Sequence, residues 1–287
     1  MMLSREQIAS IYVDSCRAEI DALKPGNVHR FADGHHMTAQ QFLESAEITA
    51  APITFPDASV GERVLASASI TREKVGTNTN LGILLLCAPL AKAAEIASLD
   101  LRQSLQDVIG AMDDRDTRDV FAAIRLANPG GLGKSETNDV NDEPVGSLVE
   151  AMRQAEHRDS VARQYATGFA DIFAGGLSAH AKALADGETG MWPTVFVYLQ
   201  MLSTFPDSHI ARKHGLVIAE EVRGQAEDIF REIARTSDTK ARERTLLAFD
   251  SRLKASGLNP GTSADLTVAT LFAAGVNFAL QCANVNA

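Results

Sequence analysis

Apolar residues recur at three- and four-residue intervals along most of the chain, the spacing that gathers side chains on one face of a helix. Residues 4–23 carry Ile8, Ile11, Tyr12, Ala18 and Ala22 in that register. Ser4 followed by Gln7 reads as a capping box, and Lys24-Pro25-Gly26 stops the helix. A second helix starts near Thr38. Residues 57–74 carry Val60, Val64, Leu65, Ala68 and Ile70 at the same period. In 75-VGTNTNLGILLLCAPLAKAAEIA-97 a small, polar opening passes into a strongly apolar run, which predicts a loop feeding a buried helix. That run is too short to cross a bilayer, and Pro89 interrupts it. Further helices are predicted near 116–127, 145–156, 158–183, 190–203, 209–235 and 239–256. The last, 261–282, is apolar on most sides, which predicts a central buried helix enclosing Asp265 and Asn277.

Strand signals are weak: there is no period-two alternation bounded by hairpin turns. The stretch 128-NPGGLGKSETNDVNDEP-144 is a loop longer than most connections, hence functional or mobile. No repeat or linker divides the sequence. The expectation is one all-α domain over 1–287, with roughly ten to twelve helices.

Composition sharpens this. Apolar residues make up 45% and aromatics only 6%, and the dominance of Ala and Leu favours helices. A net charge of −10 lacks the electrostatic footprint of a nucleic-acid or anionic-membrane binder, though a local basic pocket for a small anion is compatible with it. The cysteines Cys16, Cys87 and Cys282 are far apart and odd in number, so neither a disulfide framework nor a cysteine-rich zinc site follows. The N-terminus reads as a helix and not as a signal peptide, and a cytoplasmic location is expected. The pattern does not decide between a monomer and a homo-oligomer.

Four polar stretches stand where helices begin or end: 24-KPGNVHRFADGHHMTAQQF-42, 71-TREKVGTNTN-80, 205-FPDSHIARKHG-215 and 259-NPGTSADL-266. Gly, Thr, Ser and Asn ahead of a helix expose backbone amides at the positive end of its dipole, a ready site for phosphate oxygens. Asp265, so close to a helix start, suits a Mg²⁺ ligand or a cap. If Asp207 caps a helix, Asp207, Ala211 and His214 share one face, and His209 and Lys213 another. Glu19 sits near a helix C-terminus, where the dipole disfavours a carboxylate. His35 and His36 are adjacent and point apart on a regular element, and no HExxH is present, which argues against zinc. The Gly130–Ser135 stretch has the wrong spacing for a P-loop and leads into more loop.

Taken in order, these stretches resemble the triphosphoribosyl-dephospho-CoA synthases. KPGNVHR with GHHMT is similar to that family's KPGLVD…DM segment, GTNTNLG to its GGVNTHKG, PDSHIARKHG to its Asp-Thr…Arg-(His/Gly)-Gly motif, and NPGTSADLTVATLF to its SPGGSADLLA motif. The matches keep their order from residue 19 to about 272. The resemblance implies an all-helical enzyme in which a hydroxyl of dephospho-CoA attacks C1′ of the ATP ribose and adenine leaves, with Mg²⁺ on the triphosphate.

On that resemblance, Lys24, Asn27, His29 and His36 line the donor site. Thr77, Asn78, Thr79 and Asn80 hold phosphate or ribose, and Arg212, His214 and Ser263 meet phosphate. Glu19, Asp207 and Asp265 ligate Mg²⁺ or stabilise the transition state, with His36 also a candidate catalytic group. The chain departs from the pattern at Asn80 and Leu81, where the family has His and a basic residue, and at His29 and His36, where it has acids. The stretches 125-RLANPGGLG-133 and 161-VARQYATGF-169 look like a subgroup associated with tetrahydromethanopterin. This makes phosphoribosyl transfer from phosphoribosyl pyrophosphate to a deoxyribitol hydroxyl an alternative. A non-catalytic nucleotide-binding protein is the alternative of another class.

Overall fold

A computed structural model describes residues 2–97, 100–129 and 146–285. Among them fourteen α-helices and no β-strand are found. In chain order these are α1 (Arg5–Asp21), α2 (Ala39–Ile53), α3 (Val60–Lys74), α4 (Leu81–Ile96), α5 (Leu101–Gly110), α6 (Asp114–Ala127), α7 (Leu148–Ala155) and α8 (Ser160–Thr167). A π-helical turn (Asp171–Gly176) then leads into α9 (Leu177–Ala185), followed by α10 (Trp192–Thr204), α11 (Ser208–His214), α12 (Leu216–Ala234), α13 (Thr239–Ala255) and α14 (Gly261–Val285). The all-α expectation holds.

The ends of the helices are set by local chemistry. Ser4 and Gln7 form the anticipated capping box, and Thr38–Gln41 and Ser59–Glu62 repeat it on α2 and α3. Two long predicted helices are each divided. The 158–183 segment breaks where Gly168 and Phe169 both take positive φ, 63° and 58°. The 209–235 segment breaks at Gly215, φ 92°. Helix α5, not anticipated, carries Leu101, Leu105, Val108 and Ile109 on its buried face. The predicted start of α7 at 145, the Gly130–Ser135 stretch and most of the 128–144 loop lie outside the described residues.

Helix α4 continues through Pro89. A proline four residues on leaves the carbonyl of Leu85 without its helical donor, and the Tyr165 hydroxyl donates to it at 2.6 Å.

Helix α14 is long and apolar enough to cross a bilayer, a test that a core helix also passes. Here Val268, Ala269, Phe272, Ala273 and Val276 are fully buried, packed against α1, α4 and α10 among others. The core falls into two apolar clusters. One gathers α1 to α8 with most of α14. The other gathers α10, α12 and α13 with Ala22, Leu23 and Ala264. Helix α14 belongs to both, so its N-terminal turn lies where the two bodies of core meet, and the functional cavity opens there.

Candidate functional site

The segment between α1 and α2 is fixed at every step. Gly26 takes φ 84°, and a β-carbon there would come within 2.8 Å of both Leu253 and Pro260, so only glycine fits. Its N–H donates to Asp250 Oδ1 at 2.8 Å, and its carbonyl meets His35 Nε2 at 2.7 Å. The neighbouring Pro25 carbonyl accepts from the buried Tyr198 hydroxyl at 2.7 Å. Farther on, the chain makes a tight turn in which Gly34 and Met37 exchange both backbone hydrogen bonds, at 3.2 and 2.9 Å. The two central residues, His35 and His36, sit at φ 54° and 62°. This left-handed conformation is costly for side chains other than glycine and asparagine.

A cavity of about 490 Å³ opens where this loop, the end of α1, the start of α4, the α7–α8 turn, α11 and the start of α14 converge. Nine of the residues singled out from sequence stand on its wall: Glu19, Asn27, His36, Thr77, Asn78, Thr79, Asn80, Arg212 and Asp265.

Five do not. Lys24 is fully buried behind the wall, paired with Glu19 and donating to Asn27 Oδ1 at 3.1 Å and the Val28 carbonyl at 2.8 Å. His29 is buried with its Nε2 3.3 Å from Asp250, turned away because its side chain is needed to fix the loop. Asp207 accepts four hydrogen bonds: Oδ1 from the His209 and Ile210 amides, Oδ2 from the Ser263 amide and hydroxyl. It therefore caps α11 and ties it to α14, which uses up Ser263 as well. His214 is exposed in the last turn of α11 and off the wall. The face of α11 that looks inward carries His209, Arg212 and Lys213.

Asp265 differs from the other acids. Among the described residues its carboxylate makes no hydrogen bond or ion pair, and it lies against Gly82 in the first turn of α4, where a β-carbon would come within 2.0 Å of Oδ2. Burial, then the neighbouring charges of Glu19 and Asp207, push its pKa well above the ordinary carboxylate value. Burial likewise raises Glu19 against the opposing pull of Lys24, and lowers Lys24 against that of Glu19. No group of three or more His, Cys, Asp or Glu side chains among the described residues is arranged to hold a metal ion. The expected set of Glu19, Asp207 and Asp265 is not assembled, because Asp207 is spent as a cap.

The wall also carries unpartnered polar atoms. Asn80 Nδ2, His209 Nε2 and Arg212 Nε are buried without a hydrogen-bond partner, and such groups cost free energy unless something meets them. Asn80 is the N-cap of α4 yet makes no capping bond of its own. Arg212 is held by Asp159 at 2.6 Å. Sequence reasoning missed Arg158, Asp159 and Lys213 as wall residues. Asp159 had a readable signal, since it caps α8 through the Val161 and Ala162 amides. Lys213 lies in the 205–215 stretch, on the face with His209, but that pattern gives it no role, and Arg158, likewise an exposed cation, has nothing in its neighbourhood to mark it. Burial, then the charges of Lys213 and Arg212, lower the pKa of His209 to about 3, so its imidazole is neutral.

The result is a half-enclosed cleft lined by the carboxylates of Glu19 and Asp265, by cations and by the start of α4, whose first amide, that of Leu81, donates to Asn78 Oδ1 at 3.1 Å. Such an arrangement suits an anionic substrate whose reacting carbon develops positive charge. No match was found among curated proteins. A crystal structure from Archaeoglobus fulgidus, provisionally assigned as a triphosphoribosyl-dephospho-CoA synthase, is similar at 26% identity with a TM-score of 0.63. That match covers 82% of this chain and 98% of that one. The family model described as ATP:dephospho-CoA triphosphoribosyl transferase matches residues 5–282, and the chain belongs to that family of transferases.

Proposed function

We propose that the chain transfers a ribosyl group from ATP to a hydroxyl acceptor, with triphosphoribosyl transfer to dephospho-CoA as the parent reaction. The observation that supports this best is the half-buried, unpartnered carboxylate of Asp265, its pKa raised in part by Glu19, on the wall of a cavity that also carries Arg158, Arg212 and Lys213. The three cations take the triphosphate, with Thr77 to Asn80 along the ribose and phosphates. The acceptor oxygen bonds to C1′ as the bond from C1′ to adenine breaks and its electron pair leaves with the base. Asp265 takes the hydroxyl proton, its raised pKa bringing it closer to a working general base. His36, at the rim, donates a proton to the departing base. Glu19 stabilises the positive charge that builds on the ribose, and Asn27, held by Asn259 at 2.8 Å, orients the sugar.

Mg²⁺ fits this site on the chemistry of the donors. It keeps several waters and needs only one or two carboxylates beside substrate phosphates, a place that Glu19 would fill on the cavity wall while Asp265 stays free to take the proton. When bound it neutralises charge on the triphosphate.

A second reading has its own support. Three of the four departures from the family motifs, at Asn80, Leu81 and His36, fall on the cavity wall, where a change of side chain is a change of substrate contact. This favours an altered substrate, such as phosphoribosyl pyrophosphate with a deoxyribitol hydroxyl of a pterin cofactor precursor. Mass spectrometry of products decides. Adenine and a triphosphoribosyl-dephospho-CoA mass from ATP, Mg²⁺ and dephospho-CoA establish the parent reaction. Pyrophosphate and a ribosylated pterin precursor from the other pair establish the second. A protein whose melting temperature rises with ATP but which releases neither base nor pyrophosphate is a binder and not an enzyme.

A further inference from the structure

The cavity has two unlike walls. The α1 end, the 24–37 loop, α11 and α14 present carboxylates, amides and imidazoles. The other side, from α4, α6, α7 and α8, presents Leu85, Phe121, Ile124, Met152 and Val161, with Ala155, Gln154 and Arg158 toward the α7–α8 turn. A backbone polar group that could have interrupted this wall is already satisfied: the Leu85 carbonyl accepts from the Tyr165 hydroxyl. An apolar surface of this kind favours a ligand group with broad apolar faces and penalises one whose amides or hydroxyls would lose their hydration unmet.

We infer that this apolar wall is the seat of the acceptor's organic body, a planar ring or similarly apolar-faced group, and that the donor's adenine lies at the polar wall. The assignment rests on the ribosyl-transfer reading. Adenine leaves as an anion-like fragment and needs a proton as the bond to C1′ breaks. The hydrocarbon of the apolar wall has no proton to give, and the polar groups on that side, Gln154 and Arg158, belong to the end of α7 and the α7–α8 turn, whereas His36 and Asn27 stand on the polar side. The acceptor needs only its hydroxyl near Asp265, and the rest of it is free to lie on hydrocarbon.

The test uses Ala155→Phe, which fills the apolar end from a half-buried position at the last turn of α7 without removing core contacts. Ala151→Leu does the same from one turn earlier if the first variant folds poorly. ATP binding is measured by calorimetry with Mg²⁺, and occupancy of the wall by the fluorescence of 1-anilinonaphthalene-8-sulfonate, an anionic aromatic probe. The expected result is that wild-type protein binds one probe molecule with ATP already saturating, and that the filled variant loses probe binding at least tenfold while its ATP affinity changes less than threefold. Displacement of the probe by ATP, or loss of ATP binding in the filled variant, would place adenine on the apolar wall and overturn the inference. Wild-type protein that binds no ATP overturns the donor reading itself, and the acceptor assignment with it, an outcome distinguishable because it appears before any variant is made.

Discussion

The carboxylate of Asp265 rests on the backbone of Gly82, so closely that a β-carbon at position 82 would fall 2.0 Å from Oδ2. Helix α14 brings the acid and helix α4 brings the glycine, and neither motif has its geometry without the other. Gly82→Ala should therefore separate stability from activity. Alanine in place of glycine favours a helix by about 1 kcal/mol, which offsets part of the cost of displacing the carboxylate. Turnover should fall about tenfold or more, because catalytic geometry tolerates little displacement. Circular dichroism melts and product formation, run on the same preparation, check both halves. Full turnover in a stably folded Gly82→Ala protein would remove Asp265 from the reaction.

Asp265→Asn should abolish turnover and raise thermal stability, and the rise should depend on pH. Burial and nearby acids raise the folded-state pKa of Asp265, so the folded chain holds that proton more readily than the unfolded one. Stability from this group is present below the unfolded pKa and is lost as pH rises toward the folded value. Asparagine carries no such loss. The difference in melting temperature between variant and wild type should be small at pH 4 and grow toward pH 7. A constant difference across that range would mean that the carboxylate is not desolvated.

The buried pair of Glu19 and Lys24 makes opposite demands. Each charge is out of water and each is compensated by the other, so Lys24→Met strands Glu19 and should cost about 3–5 kcal/mol. Adding Glu19→Gln to Lys24→Met should recover most of that loss, because no buried charge is then left alone. The double variant should remain inactive if Glu19 stabilises the ribosyl cation. Urea unfolding measures the first two effects and product assay the third.

Acid sensitivity should trace in part to His209. Its folded pKa of about 3, against an ordinary 6.5, means that the unfolded chain binds a proton between those values while the folded chain does not. Stability therefore falls as pH drops from 6.5 toward 3. His209→Asn removes this linkage and should shift the acid-unfolding midpoint to lower pH, followed by far-ultraviolet circular dichroism.

Much of this was legible in the sequence because it is local. Capping boxes, the Pro-Gly stop after α1 and the apolar C-terminal helix depend on residues within a few positions of one another, and the pattern places them correctly. What was not legible depends on contacts across the chain. Pro89 reads as an interruption, but Tyr165, eighty positions away, supplies the missing donor to Leu85. Asp207 reads as a metal ligand until Ser263 arrives from α14 to occupy it. His29 and Lys24 belong to the same motif as Asn27, yet partners at Asp250 and Glu19 turn them inward. Arg158 carries no local mark at all, and only folding brings it to the same cavity as Lys213.

The last prediction concerns the His35-His36 turn. Two adjacent residues in the left-handed region cost about 1–2 kcal/mol each when they are neither glycine nor asparagine. His35 has a structural reason to be there, its contact with the Gly26 carbonyl at 2.7 Å. His36 has none: it is exposed at the cavity rim, with no hydrogen bond to any described residue. A strained position without a structural reward points to a contact made by the substrate. His36→Gly should stabilise the fold by about 0.5–1 kcal/mol, the relief of strain being partly cancelled by the freer unfolded chain. His36→Asn should also fold well, since asparagine accepts the left-handed turn and keeps a hydrogen-bonding side chain. If His36 delivers the proton to the departing base, both variants should lose about a hundredfold or more in turnover, while the KM for ATP changes little. If the histidine only shapes the turn, the asparagine variant should work as well as the wild type, and the proton donor must be sought elsewhere on the polar wall.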